Sequence, residues 1–88
     1  MIKDIAPKAE IHWLALPKQH ITDLRKATDV DREILGSTLV AAATAVREKA
    51  HDRPFKIIAN NGREAGQHIF HLHFHILIGS TIVDMLPV

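Results

Sequence analysis

The sequence predicts an α+β fold in which an antiparallel β-sheet packs against one long α-helix. Residues 28–50 place apolar or small side chains three and four positions apart, which is the spacing of one helix face. Residues 71–76 instead alternate histidine with large apolar residues, which is the period of a strand. With 88 residues, the chain is expected to form one domain over residues 1–88, small enough that a second copy would add stability.

The first predicted strand is Ile11–Pro17, which follows an extended segment with little periodicity. Both alternating faces of this strand carry mostly apolar residues, so we expect both to be at least partly covered. Pro17 lacks the backbone N–H that a sheet ladder needs and should end the strand. A polar connection then leads to the helix.

The predicted helix occupies residues 28–50 and begins at Thr28, which forms a capping pair with Asp31. Arg47 and Lys49 lie in its last turn, where cations favour the negative end of the helix dipole. Its inward face is predicted to hold Val30, Ile34, Leu35, Thr38, Leu39, Ala42, Ala43 and Val46. The small alanines would let a sheet or a partner helix approach closely, so core packing and a dimer interface are both open alternatives.

Two further strands are predicted after the helix. Phe55–Asn60 combines an aromatic residue with a β-branched pair, and a loop with Gly62 and Gly66 follows it. The third strand is predicted over His68–Gly79, with imidazoles about 6.5 to 7 Å apart on one face. That face holds Ile69, His71, His73, His75 and Leu77, and the apolar face expected to contact the helix holds Phe70, Leu72, Phe74, Ile76 and Ile78.

Charge and composition exclude several classes of partner. Eleven Lys and Arg are interspersed with ten Asp and Glu, without the basic stripe that duplex nucleic acid attracts, so no nucleic-acid partner is expected. No uncharged apolar run approaches the ~18 to 20 residues of a membrane span, and the first residues carry charges where a signal peptide would be apolar. These features predict a cytoplasmic protein with no membrane partner.

The chemistry that the sequence offers is histidine chemistry. The chain has seven histidines and no cysteine, so imidazole is its most abundant reactive side chain. Neighbouring imidazoles and burial both disfavour protonation, so the row of three should stay neutral near pH 7. A neutral imidazole is a nucleophile and a metal ligand, and if a backbone carbonyl accepts its Nδ1 proton, its Nε2 keeps the lone pair.

Two kinds of ligand suit this row. Zinc could be bound by a His-x-His pair with His12 as a further ligand, although the outer two rings of the row start roughly 13 Å apart. Phosphate is favoured by the preceding loop, where the backbone N–H groups of Gly66 and Gln67 and the amides of Asn60 and Gln67 could hold a phosphoryl group. We therefore expect a phosphate site with neither metal nor cofactor; zinc binding and nucleotide binding without turnover are the alternatives.

The stretch "GQHIFHLHFHIL", residues 66–77, resembles the signature of the histidine-triad superfamily. The stretch "DIAPKAEIHWLALPKQHI", the long helix and "IIANNGREAGQ" follow the order of its Hint branch, so the resemblance covers Lys3 to about Gly79. It implies an α+β fold with an antiparallel sheet and a homodimer. It also implies hydrolysis of nucleoside 5′-phosphoramidates or related AMP esters through a nucleotidyl-histidine intermediate.

Carried over by position, the resemblance implies that His73 is the nucleophile, that His75 contacts the phosphate and that His71 orders the row. His12 matches a histidine that supports the row from an adjoining strand. The implied substrate-binding residues are Asn60, Gly66 and Gln67 at the phosphate, Asp4 at the ribose hydroxyls and Ile5 beside the base.

Two features depart from the family pattern. His68 stands where members commonly have a small hydroxyl residue that can reach the phosphate and the leaving group. We therefore count His68 among the substrate-binding candidates and leave the preferred leaving group open. Members also usually carry a further helix and strands before the Asp-Ile segment, where they wall the nucleobase pocket. The chain is thus expected to be an N-terminally shortened member, with its base specificity unassigned.

Overall fold

The computed structural model describes residues 2–3 and 10–79. Within these ranges, the elements are β1 (Ile2–Lys3), β2 (Ile11–Ala15), α1 (Arg32–Lys49), β3 (Lys56–Ile58) and β4 (Phe74–Ile78), with 3-10 turns at Leu24–Lys26, Asp29–Asp31 and Arg63–Ala65. The four strands form one antiparallel sheet in the order β1-β2-β4-β3, and the long helix α1 packs against it. The predicted α+β class is confirmed.

Strands β2 and β4 form the centre of the sheet and separate the core from the histidines. Their register pairs Ile11 with Ile78 and Ala15 with Phe74. Residues that oppose one another in such a ladder point to the same side of the sheet. The side toward α1 carries Ile11, Trp13, Ala15, Phe74, Ile76 and Ile78, which pack with Ala42, Val46 and Ala50. The opposite side carries His12 and His75.

Helix α1 buries a narrow stripe of small and branched residues. Thr38, Ala42 and Val46 are buried at four-residue spacing, as the sequence predicts. Val30 and Leu39 are not part of this face, so both predictions were wrong: Val30 lies in the 3-10 turn before α1 and is 87% exposed, and Leu39 is 37% exposed. Within residues 2–3 and 10–79, no helix combines the length and the apolar character that a membrane span requires.

Hydrogen bonds close both ends of α1. In the 3-10 turn that leads into α1, the N–H of Thr28 donates to the Asp31 carboxylate at 2.9 Å, which confirms the predicted capping pair. Beyond its end, the N–H of Asp52 donates to the Val46 carbonyl at 3.2 Å. This turn places His51 and Asp52 at φ values of 56° and 54°, a left-handed conformation that costs glycine less than other residues.

Three strands are shorter than predicted. β2 ends at Ala15, two residues before Pro17, and β3 retains only the middle of Phe55–Asn60. β4 begins at Phe74, so residues 68–73 belong to no strand. The apolar face predicted for the third strand is correspondingly shorter, because residues 68–73 lie outside β4.

The register explains why β4 starts late. Phe74 pairs with Ala15, the last residue of β2, so the residues before Phe74 lie beyond the end of β2. There the chain of β2 runs into Pro17, which cannot donate to a ladder. Phe70 therefore falls in an irregular segment and is 43% exposed, contrary to its predicted place on the core face.

Candidate active site

The predicted histidine row lies at the start of the central strand. His75 is the second residue of β4, whereas His71 and His73 precede the strand. The rings of His73 and His75 have centroids 5.1 Å apart and are inclined by 68°. All three histidines are half-buried, so the row can be reached from solvent.

The tautomer of His73 is set by the backbone carbonyl of His71. Nδ1 of His73 lies 2.7 Å from the carbonyl oxygen of His71. A carbonyl can only accept, so Nδ1 carries the proton and donates, which leaves Nε2 of the neutral ring with a lone pair. The condition named for a nucleophilic imidazole, a backbone acceptor at Nδ1, is thus met at His73. It gives His73 the electronic form that nucleophilic attack requires.

His12 supports His75 from the neighbouring strand. His12 opposes Leu77 in the ladder, so it lies diagonally from His75 on the same side of the sheet. Nε2 of His12 is 2.8 Å from Nδ1 of His75, and one proton lies between the two nitrogens. His12 is only 4% exposed, so its ring is held in place by the surrounding sheet. When His12 is the donor, His75 carries its own proton on Nε2 and can donate to an anion.

His71 is held by the connection that follows β2. Its Nε2 lies 2.8 Å from the carbonyl oxygen of Pro17, so Nε2 is protonated and donates. The ring of His20 meets the ring of His71 at 89°, with centroids 5.3 Å apart. His20 was not among the predicted site residues, because it lies in a polar connection where no periodicity singles it out. Five of the seven histidines therefore form one series of contacts, in the order His20, His71, His73, His75 and His12.

The predicted phosphate loop is compact, and its backbone donors already have partners. A 3-10 turn at Arg63–Ala65 is flanked by Gly62 and Gly66, with φ values of 98° and 95°. The N–H of Gly66 donates to the Arg63 carbonyl at 3.0 Å, and the N–H of Gln67 donates to the Gly62 carbonyl at 3.1 Å. These bonds stabilise the loop itself. Direct contact of either group with phosphate stays a prediction.

The side chain of Gln67 connects this loop to its surroundings. It is 1% exposed, and its Oε1 accepts from the N–H of Gly62 at 2.8 Å. Its Nε2 donates to the carbonyls of Thr22 at 2.7 Å and Ile69 at 3.0 Å. Every hydrogen-bonding group of the amide thus has a protein partner, which explains why a glutamine precedes the row.

Asn60 has a similar role at the start of the loop. Its Nδ2 donates to the Ala65 carbonyl at 2.8 Å, across the 3-10 turn. Its Oδ1 is buried and has no hydrogen-bond partner among the described residues. A buried acceptor without a partner is costly, so this oxygen is suited to receive a donor from a ligand or a water.

An ion pair between the buried Asp23 and the exposed Arg25 braces the loop from the other side. Asp23 is fully buried, and its carboxylate accepts from the backbone N–H and the guanidinium of Arg25 at 2.8 to 3.0 Å. These hydrogen bonds lower the pKa of Asp23 below its ordinary value. The turn that they stabilise lets the N–H of Leu24 donate to Oδ1 of Asn61 at 2.8 Å. Neither Asp23 nor Arg25 was among the predicted site residues.

The remaining predicted site residues are His68, Asp4 and Ile5. His68 is exposed and directly follows Gln67 in the irregular segment, so strand parity does not fix its direction. Asp4 and Ile5 lie outside the described residues, and their roles stay predictions. Among residues 2–3 and 10–79, no group of three or more His, Asp or Glu side chains is arranged to hold a metal ion.

Comparisons with known proteins point to one family. The profile of the HIT domain matches residues 1–82. An HIT-like protein of Synechocystis sp. is 40% identical over 77 residues, which are 88% of this chain and 68% of that protein. The solved structure of an HIT family hydrolase from Legionella pneumophila superposes with a TM-score of 0.85 at 30% identity, covering 91% of this chain and 72% of that one. For an HIT family hydrolase from Clostridium thermocellum, the TM-score is 0.83 at 37% identity, covering 98% and 73%.

The fold and the histidine row therefore define a histidine-triad domain. The chain belongs to the HIT family.

Proposed function

We propose that this chain is a hydrolase that cleaves nucleoside 5′-phosphoramidates or related AMP esters through an intermediate in which the nucleotide is bound to His73. The 2.7 Å hydrogen bond from Nδ1 of His73 to the His71 carbonyl carries the proposal, because it leaves Nε2 as a nucleophile. Membership of the HIT family and the similarity to two solved HIT family hydrolases support it. The substrate class is a purine nucleotide of the AMP type.

In the first step, the Nε2 lone pair of His73 attacks the α-phosphorus. A P–N bond to His73 forms while the bond from phosphorus to the leaving group breaks, and the leaving amine takes up a proton. His73 then bears a positive charge, since Nδ1 keeps its proton. Its hydrogen bond to the His71 carbonyl becomes charge-assisted and stronger, which stabilises the intermediate.

In the second step, water attacks the same phosphorus and the P–N bond breaks. The electron pair returns to Nε2 of His73, the water gives up a proton, and AMP is released. We assign to His75 the contact with the phosphoryl oxygens in both steps, because its ring centroid lies 5.1 Å from that of His73 and its Nδ1 is engaged with His12. Protonation of its Nε2 would supply one donor to the developing charge.

The test is turnover of adenosine 5′-phosphoramidate by the full chain, with and without a chelator. His73→Ala should abolish turnover, and His51→Ala, which changes an exposed histidine beyond helix α1, should leave it unchanged. A neutral quench followed by mass spectrometry should detect an AMP adduct on the protein. Turnover that survives in His73→Ala would exclude the mechanism, and turnover lost in the chelator together with bound zinc in elemental analysis would favour the metal alternative.

One observation favours a second candidate, a nucleotide-binding domain without turnover. The N–H groups of Gly66 and Gln67, predicted to hold phosphate, already donate within the loop. A site that lacks these donors could bind AMP without stabilising the charge that develops during the reaction. Calorimetric binding of AMP by a protein that shows no turnover and no adduct would support this candidate.

We also propose that the active form is a homodimer. The outer strand β3 and helix α1 both expose large apolar side chains, with Ile57 40%, Leu39 37% and Val40 64% exposed. A chain of this size gains stability by covering such residues with a second copy. Sedimentation at micromolar concentration should show a dimer, and a monomer would contradict the proposal.

A further inference from the structure

We propose that the segment Pro17–Ile21 positions the nucleophile, and that His20 is its key side chain, a positioning residue that acts through His71. We call Pro17–Ile21 the bracing segment. This inference rests on the proposed function, because it assigns a role to residues behind the nucleophilic His73. It follows from the way in which the acceptor of the His73 proton is itself held in place.

The His71 carbonyl that accepts the proton of His73 lies outside the sheet. β4 begins at Phe74, so no ladder fixes the peptide groups of residues 71–73. A carbonyl in an irregular segment can rotate with small changes in φ and ψ, and a rotation would remove the hydrogen bond to Nδ1. Some other contact must therefore fix the direction of this carbonyl.

The bracing segment supplies that contact through a single peptide group. The carbonyl of His71 and the N–H of Leu72 belong to the same planar unit and point in opposite directions. The N–H of Leu72 donates to the Ile21 carbonyl at 2.6 Å, while the carbonyl accepts from His73 at 2.7 Å. Fixing the N–H on Ile21 therefore fixes the direction of the carbonyl. Hydrogen bonds in such a series also polarise and strengthen one another.

The same segment holds the His71 side chain at two points. The Pro17 carbonyl accepts from Nε2 at 2.8 Å, and the His20 ring packs edge-on against the imidazole with centroids 5.3 Å apart. Together with the bond to Ile21, these contacts leave residue 71 little freedom to turn. His20 is the one member of this set that acts through a ring on the exposed side, so it can be changed without opening the core.

The test compares His20→Ala with His20→Phe in the full chain, and His51→Ala is the matched histidine control. Alanine removes the ring contact, whereas phenylalanine keeps a flat ring that does not titrate. We expect kcat on adenosine 5′-phosphoramidate to fall about 2- to 12-fold in His20→Ala, the factor that corresponds to one aromatic pair. KM should not change, and His20→Phe should restore most of kcat.

A second measurement on the free protein separates positioning from a general loss of structure. Nitrogen-15 chemical shifts of the His73 ring report the fraction of molecules that carry the proton on Nδ1. This fraction should fall in His20→Ala and stay at the wild-type value in His20→Phe and His51→Ala. A synthetic chain with an ester in place of the Leu72 N–H should lose more of the Nδ1 form than any of these variants.

The two measurements distinguish the possible failures. If the wild type turns over substrate but His20→Ala changes neither kcat nor the protonated fraction at Nδ1, the positioning role is overturned and the proposed function stands. If wild type shows no turnover but the Nδ1 fraction falls in His20→Ala, the proposed function fails and the positioning role stands. An ester chain with an unchanged Nδ1 fraction would overturn the role of the His71–Leu72 peptide.

Discussion

Replacement of Gln67 by alanine would remove all the hydrogen bonds of a side chain that is 1% exposed. The N–H of Gly62 and the carbonyls of Thr22 and Ile69 would lose their partner. A buried group left without a partner costs about 1–3 kcal/mol, and the Ile69 carbonyl lies in an exposed residue that water can reach. With the full cost for the N–H of Gly62 and part of the cost for the carbonyl of Thr22, the free energy of unfolding should fall by about 2–4 kcal/mol.

That loss is large for a chain of 88 residues, whose total stability should be about 4–13 kcal/mol. Urea unfolding followed by fluorescence of the only tryptophan, Trp13 in the core-packed strand β2, would measure it. The exposed Gln19, changed to alanine, is the matched control. A loss of less than about 1 kcal/mol in Gln67→Ala would refute the claim that this amide connects the loop to the fold.

The isosteric change Gln67→Glu sharpens the test. A carboxylate has no hydrogen to donate to the carbonyls of Thr22 and Ile69, so the variant should be at least as unstable as Gln67→Ala near pH 7. Burial raises the pKa of a carboxyl group, so the folded variant binds a proton more tightly than its unfolded chain. Its instability should therefore be greatest above the folded pKa and should shrink as pH falls. If the difference in the free energy of unfolding between Gln67→Glu and wild type were the same at all pH values, this reasoning would be contradicted.

Three further predictions concern other parts of the structure. His51→Gly should raise stability by about 1 kcal/mol and increase Tm, because residue 51 has a φ of 56°. The pKa of Asp23 is lowered by its hydrogen bonds with Arg25, so their contribution is present above the ordinary pKa and lost as pH falls through the folded value. Urea midpoints in acid should thus fall less steeply in Asp23→Asn, whose midpoint near pH 7 should be lower than that of wild type. His12→Ala should slow single-turnover hydrolysis about 10- to 150-fold, since His75 loses its 2.8 Å partner, and an unchanged rate would show that the pair is not needed.

The sequence predicted those parts of the fold that periodicity governs. Alternation along β4 correctly placed Phe74, Ile76 and Ile78 on the core side, and the four-residue spacing along α1 placed Ala42 and Val46 there. Periodicity did not indicate the residues at which each strand begins and ends. They depend on the register between β2 and β4, which pairs residues sixty positions apart, and on where Pro17 interrupts the ladder. One sequence contains the periodicity of each strand but not the alignment between strands.

The candidate site was also predictable only in part. The histidine row can be read from the local sequence, whereas the backbone acceptor for Nδ1 of His73 was only a condition there and is supplied by the structure, as the His71 carbonyl. The contacts made by His20 and by Gln67 depend on the connection after β2 folding back over the row and the loop. That connection shows no repeat, so nothing in its local pattern indicated which of its groups would meet the site.

The position of β4 between β2 and β3 has a consequence for how motion is distributed in the chain. Amide hydrogens of Phe74–Ile78 should be among the slowest to exchange, because this strand is hydrogen-bonded on both sides and buried against the helix. His73, the proposed nucleophile, lies one residue before this strand, at its boundary with an irregular segment that we expect to open more easily. Substrate could therefore readjust the reactive ring through small local openings while the most protected strand stays closed.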